Sequence, residues 1–333
     1  MGNRTDEGLT TIGWEEVRDV ELDEVEKSYI KKRFANDKRA TKSTALYNFG
    51  HELSKGSIVV AKTGQTDVYG VGVVVSDYYR SPELQQELFE NPDNCHFRDV
   101  EWILDFENIL GETLSFDWSD LSKKQFQLAT GVHEFDGYSN LHQQVIETVG
   151  LEADDNIEAK FEKVERLSRA LTRRYEDDYQ SSYYWVNQNE RGGIDGGYLS
   201  APADPGSWAQ DLERPDVGDV IVHKHDDELI AHSTVLAEAK ERTIDGERRK
   251  RVPVRMEEFD QPKDVEQVIE YLAQDDVRGD AQYYPLDKNG DLMQGYLFNL
   301  PQTTGEQLLE RNFDQTYADY GGELAVLNGD IDI

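Results

Sequence analysis

A chain of 333 residues is long enough for two ordinary domains and needs no single large core. Thirty-five lysines and arginines stand against 68 aspartates and glutamates, a formal charge of −33 that runs through the whole chain instead of gathering in a tail. This excludes a diffuse electrostatic grip on polyphosphate, because affinity for nucleic acid depends on local Lys and Arg, while 17 Tyr, 12 Phe and 5 Trp exclude a disordered solvating chain.

In chain order, the pattern predicts a first helix from Glu21 to Phe34 and a second from Ser43 to Leu53, with Thr41 or Ser43 as its cap. Lys55-Gly56-Ser57 then turns into Ile58 to Ala61, and Tyr69 to Val75 returns after a polar turn, which reads as a hairpin of β-branched strands. A further strand covers His96 to Ile103. From Asp155 to Tyr179 the apolar positions Ile157, Phe161, Val164, Leu167 and Leu171 recur at helical spacing among charges, and predict one exposed connecting helix at a domain boundary. A second β-rich stretch holds Tyr183 to Val186, then Val220 to His223 paired with Leu229 to Ala237, and a helix from Asp264 to Leu272 follows.

The two halves repeat one another. Lys55 to Lys62 aligns with Val217 to Lys224, and the return strands fall at matching offsets within one residue, so one supersecondary unit is expected twice. No run of about 18 apolar residues predicts a membrane helix, the start MGNRTDEG lacks the apolar stretch of a signal peptide, and a lone Cys95 allows no internal disulfide. These point to the cytoplasm and to no membrane partner. Dense carboxylates point further to a cell of very high internal salt, where screening over a few Å removes self-repulsion.

Trp14 through Leu46-Tyr47-Asn48-Phe49, then Gly56 to Ala61, Tyr69 to Gly72, Asp77-Tyr78-Tyr79 and His96-Phe97-Arg98-Asp99-Val100-Glu101-Trp102, resemble the EVE-like, PUA-superfamily domain at the front of McrB-type restriction proteins. Tyr184 to Gln188, Gly196 to Pro202, Trp208 and Gly218 to Val222 resemble a second such module. In its acidity the chain is similar to haloarchaeal-type proteins. The resemblance implies an α+β fold of two PUA-like, EVE-type twisted β-barrel modules with flanking helices. Residues 1–150 would form the first, 151–180 the connecting helix, 181–302 the second, and 303–333 an acidic C-terminal tail. It also implies recognition of a modified base, methylated DNA above all, flipped into an aromatic pocket within a modification-dependent restriction or defence system. No G-x-x-x-x-G-K-[ST] loop occurs in the sequence, so either a GTPase, ATPase or nuclease engine sits on a separate subunit or the chain is a detached sensor, and no cofactor and no catalysis are expected.

A base reader needs a π-face for stacking and hydrogen-bonding groups aimed at the base edge. Tyr184, Trp185, Asn187 and Gln188 bring both types together, and strand alternation places Trp185 and Asn187 on one surface. Gly197 would let the backbone approach a ligand, and Tyr198 or Trp208 would add a second wall. In the first module the candidates are Tyr47, Tyr69, Tyr78, Tyr79 and Trp102, although Trp102 reads as an ordinary strand residue. Phosphate contacts are expected from Arg248, Arg249, Lys250, Arg251 and Arg255, with Arg98; a solvated turn is the competing reading for the run. Lys31-Lys32-Arg33 with Lys38, Arg39 and Lys42 form a weaker patch.

Four further functions stay open. The same fold includes readers of modified RNA. Pro215-Asp216 with Glu238-Ala239-Lys240 imitates the carboxylates and lysine of a Mg²⁺-dependent nuclease. His223, His225 and His232 could gather as a metal site, against a structural role for each. A protein-interaction or purely structural role completes the set. Asp287 to Asp291 is read as a β-turn, since its glycine falls at the wrong place for a calcium loop.

Overall fold

Glycine turns feeding β-branched hairpins organise both halves of the chain. In the computed structural model the described residues are 2–4, 8–34, 40–63, 67–89, 91–106, 114–115, 142, 145, 155–176, 179–188, 196–203, 208–244 and 246–311. The chain divides into two compact units, Met1–Tyr175 and Glu176–Ile333. Each carries a mixed set of helices around one curled, half-barrel sheet of seven strands.

In the first unit the strands are β1 (Gly2–Arg4), β2 (Leu9–Ile12), β3 (Ile58–Thr63), β4 (Asp67–Val74), β5 (Tyr79–Arg80), β6 (His96–Asp105) and β7 (Leu114–Ser115). Their order is β1-β2-β6-β4-β3, with β5 on β6 and β7 on β4. The expected helix from Glu21 is a 3₁₀ turn at Leu22–Glu24 followed by α1 (Lys27–Arg33). The expected second helix is α2 (Ala40–Tyr47), which runs into a π turn at Asn48–Glu52. They close one side of the sheet around Ile12, Leu22, Ile30, Leu46, Phe49 and Val100. Next come α3 (Pro82–Leu88), capped by Ser81 Oγ accepting from the Leu84 amide, and α4 (Asp155–Arg174).

Helix α4 buries all five of its periodic apolar residues, as the spacing demands. It does so against β4 and β6 of its own unit, so the expectation of an exposed connector is corrected. A stripe of five large apolar side chains is worth several kcal/mol when covered, which a solvated linker would forgo.

In the second unit the strands are β8 (Tyr183–Gln188), β9 (Tyr198–Pro202), β10 (Val220–His225), β11 (Glu228–Val235), β12 (Lys240–Ile244), β13 (Glu247–Asp264) and β14 (Leu297–Leu300), with order β12-β13-β11-β10-β8-β14 and β9 on β13. The 18-residue β13 is long enough to pair with β12, β9 and β11 in turn, and it curls the sheet. One face encloses Tyr184, Val186, Leu199, Ile221, Val252 and Val254 as the interior. The other face, at β8, β10 and β14, is covered by α5 (Val265–Leu272, capped by Asp264), α6 (Asp275–Arg278) and α7 (Gln302–Glu310) around Trp185, Val222, Val268 and Phe298. Thr304, Gly305 and Leu308 of α7 are buried, so the expected boundary at 302/303 is corrected: the core continues to the end of that helix. The remainder of the expected tail, from residue 312, lies outside the described residues.

The expected repeat extends to individual hydrogen bonds. Gly56 (φ +89°) donates to Val74 O at 2.9 Å, and Gly218 (φ +94°) donates to Val235 O at 3.0 Å. Ser168 Oγ donates to Gly56 O, and Ser181 Oγ to Gly218 O. The β3–β4 ladder shifts register between Ala61 and Lys62, the β10–β11 ladder between His223 and Lys224. Gly8 and Gly197 share φ +66°, and their carbonyls accept from Val100 N and Val254 N. Only glycine takes such angles without strain, which is why the sequence marks these turns twice.

Two buried histidines tie strands to their surroundings in neutral form. His96 Nε2 donates to Val17 O at 3.2 Å while Nδ1 accepts from the Tyr78 hydroxyl at 2.8 Å, and burial pushes its pKa down from 6.5 to about 4. His223 donates from Nδ1 to Gln188 Oε1 and accepts at Nε2 from the Ser233 hydroxyl, both at 2.7 Å, and burial lowers its pKa to about 3. The unfolded chain therefore takes up protons first as pH falls. Stability is expected to drop below pH about 6.5, by roughly 1 kcal/mol or more per histidine at pH about 5.5. Urea midpoints measured against pH at fixed molar KCl should show this slope, and a H96Q/H223Q double variant should flatten it. Equal slopes in the two proteins would remove the histidines as its cause.

Candidate nucleic-acid interface

Strand alternation decides what the basic run can do. Along β13 the even positions Val252 and Val254 enter the interior, so Arg249, Arg251 and Arg255 share the exterior face. The β12–β13 register sets Lys240 opposite Arg251 and Arg242 opposite Arg249, and brings both onto that face. The β9–β13 register adds Tyr198, Ser200 and Pro202. The Arg251 guanidinium lies 3.7 Å from the centre of the Tyr198 ring, and Arg249 Nε donates to Ser200 Oγ at 2.9 Å, so two cations are braced by their cross-strand neighbours.

Glu247 lies 3.6 Å from Arg249, and Glu257 2.7 Å from Arg255. Lys240 and Arg242 are exposed. Among the described residues of β9, β12 and β13, this face sets five cations beside these carboxylates, a positive patch on a chain of net charge −33. A braced, planar Arg presents its fork to phosphate with little further ordering.

The expected phosphate set is corrected in part. Arg248 and Lys250 point to the opposite side, pairing with Glu241 at 2.7 Å and with Glu213. Arg98 is 4% exposed and donates to Phe49 O and Gly50 O at 3.0 Å and to Ser76 O at 3.3 Å. Burial lowers its pKa to about 10, which leaves it charged at neutral pH but out of reach of a ligand. Lys240 and Arg242 join the patch without having been expected there, although the alternation Lys240-Glu241-Arg242 before a glycine hairpin is the signal that could have found them.

The expected base cage is also redistributed. Trp185 and Asn187 do share a surface, yet Trp185 is wholly buried and its Nε1 donates to Asn187 Oδ1 at 2.9 Å, while Asn187 Nδ2 donates to Gly295 O. Both groups are used internally, so neither can face a base; this corrects their assignment. Tyr184 sits in the interior with its hydroxyl on Arg214 O, and Gln188 is buried against His223. Gly197 serves the main-chain bond to Val254, not a ligand. Tyr198 belongs to the basic face. Trp208 is 51% exposed at the head of a 3₁₀ turn, Trp208–Glu213, whose Ala209 and Leu212 plug the interior.

In the first unit Tyr47 stacks on His51 at 4.3 Å with Lys27 near its ring, and Tyr69 is half-buried on β4. Tyr78 is buried, accepting from the Leu22 amide and donating to His96. The exterior positions that match the basic face hold Leu9, Tyr79 and Phe97 instead. Phe97 is fully buried between Tyr79, at 5.7 Å, and Phe89, at 6.0 Å.

The nuclease-like carboxylates Asp216 and Glu238 are exposed turn residues, and Lys240 turns into the basic face. His223 and His232 sit in adjacent registers on opposite faces, which separates them as ligands. Among the described residues no group of three or more His, Cys, Asp or Glu is arranged to hold a metal ion, and no helix is long and apolar enough to cross a membrane. Asp287 closes its turn by accepting from the amides of Asn289 and Asp291. A family model described as a domain of unknown function, DUF8426, matches residues 3–130. No curated protein matches the chain at a significant level.

Proposed function

We propose that the chain is a non-catalytic nucleic-acid reader of PUA-like, EVE type that seats a phosphate backbone on the exterior of β9, β12 and β13. The observation that carries this is the positive face of Lys240, Arg242, Arg249, Arg251 and Arg255 on an otherwise strongly acidic chain. Two half-barrel units with one hydrogen-bonded frame support the fold part of the proposal. DNA is the favoured ligand over RNA, in the cytoplasm of a salt-adapted cell, with cleavage or nucleotide hydrolysis left to a separate GTPase, ATPase or nuclease subunit. Reading of a modified base, methylated DNA above all, is part of the same proposal, with its pocket placed away from Trp185.

Replacing Lys240, Arg242, Arg249 and Arg251 together by glutamine is expected to weaken binding to every oligomer alike, methylated or not. It should also lower the slope of log affinity against log salt by close to one for each phosphate contact removed. Fluorescence anisotropy with methylated and unmethylated DNA and RNA oligomers over a KCl series measures both. An unchanged affinity and slope would reject this face as the contact.

A further inference from the structure

Strand register decides how the cations of the basic face stand to one another. Lys240 lies directly opposite Arg251 and Arg242 directly opposite Arg249, so the exterior of the β12–β13 ribbon carries two like-charge pairs side by side. Directly opposed like charges destabilise a ladder, because cross-strand Cβ atoms sit only about 5 Å apart. The other surface of the same ribbon is matched: Glu241 lies opposite Lys250 and pairs with Arg248 at 2.7 Å, while Lys250 pairs with Glu213. A chain with 68 acids and 35 bases could have supplied a carboxylate opposite each exterior cation as well. Instead Glu247, 3.6 Å from Arg249, stands at the hairpin end of the strip.

The two arginines are fixed in place. Arg249 Nε is held by Ser200 Oγ, and the Arg251 guanidinium lies on the Tyr198 ring, with its Nε buried and without a hydrogen-bond partner among the described residues. Four cations gathered against their mutual repulsion define a seat for anions, and their spacing says which. Cross-strand partners are close enough to share one anionic group, and the next pair lies two strand residues along, roughly 6.6 Å. Successive phosphates follow one another at that interval along an extended sugar–phosphate strand.

The surroundings favour a single strand over a duplex. Strand β9 runs beside β13 in the same register, with Pro202 opposite Arg249 and Ser200 opposite Arg251, so the strip is three strands wide. A major groove about 12 Å across admits a two-stranded ribbon, and a third strand exceeds it. The strip also lies on the outer side of a curled sheet whose interior is filled by Leu199, Val252 and Val254. Two convex bodies, such as this surface and a duplex, touch over a short length, whereas a single strand bends to follow a charged track.

We propose that Lys240 with Arg251, and Arg242 with Arg249, form two clamps that hold successive phosphates of one single strand running along β13. The proposal rests on the nucleic-acid reading and deepens it by fixing the form of the ligand, its direction and the number of phosphates held.

Anisotropy with pentathymidylate and with a DNA duplex over a KCl series, and calorimetry with potassium tripolyphosphate, test it on the full chain. The native protein should bind the single strand more tightly than the duplex. Replacing all four cations by glutamine should lower the single-strand salt slope by about 1.4, for two phosphates, and not by about 2.8, for four. Lys240→Gln and Arg251→Gln should depart from additivity by more than about twofold in affinity, because the two residues share a phosphate, while Lys240→Gln and Arg249→Gln should add to within about twofold. Thermal unfolding of Lys240→Gln/Arg242→Gln, which touches neither braced arginine, should not come earlier, since repulsion is removed; a lower midpoint would make these residues structural and overturn the clamps. Equal binding of the two DNA forms, or additive losses within each pair, would overturn the clamps and leave the nucleic-acid reading in place. Tripolyphosphate binding that Lys240→Gln/Arg251→Gln weakens, with no binding of either DNA, would keep the clamps and remove the wider reading. Binding of neither would overturn both.

Discussion

Replacing Trp185 with alanine is expected to destabilise the second unit by about 3 to 5 kcal/mol, the range for emptying a buried tryptophan site. Trp185 is fully buried among Val222, Val268, Leu272 and Phe298, where helix α5 packs on the sheet. The neighbouring groups are held by β8, β10 and β14 at once, so the void cannot collapse without moving a ladder. Removal also leaves Asn187 Oδ1 without its 2.9 Å donor. Denaturant unfolding at constant molar KCl gives the loss directly. A Trp185→Ala protein of native stability that had lost only selective binding would return this residue to the ligand site. Trp185→Phe should cost less, because it keeps most of the apolar volume and loses only the indole hydrogen bond.

Arg98→Met should cost the first unit at least about 3 kcal/mol, because it leaves three carbonyls without their donor, at about 1 to 3 kcal/mol for each that stays dry. Two of them, Phe49 O and Gly50 O, lie in the π turn that ends α2, where backbone carbonyls point out of the helix and attract a cation. The third, Ser76 O, belongs to the turn between β4 and β5, so one guanidinium ties a helix end to a strand turn. Arg98→Lys should recover only part of the loss, since an ammonium cannot match the fork that spans these acceptors. Urea titration of the three proteins decides. A methionine variant as stable as the native protein would mean that water satisfies the carbonyls.

The hairpins and α4 are legible in the sequence because β-branched runs and 3.6-residue periodicity are local signals. Gly56 and Gly218 are legible because a left-handed turn admits few other residues. Trp185 misleads for a physical reason. Strand β8 is covered on both faces, so Tyr184 and Trp185 are both core and their alternation carries no inside–outside information. Arg98 misleads because its neutral acceptors are main-chain carbonyls 48 and 49 residues away along the chain, invisible to a search for acidic partners. The basic run looks like one patch in the sequence, whereas a two-residue period divides it between two surfaces. Lys240 and Arg242 join Arg249 and Arg251 only once the β12–β13 register is known.

The paired glycines and ladder shifts that the two units share are features of main chain, not of side chains. A scaffold held in this way tolerates wide chemical drift on its outer surface. In the first unit that surface is an aromatic stack of Tyr79, Phe97 and Phe89. In the second it is a cationic strip on β12 and β13. One main-chain frame thus carries two outer surfaces of opposite chemistry, one closed by aromatic packing and the other left to cations.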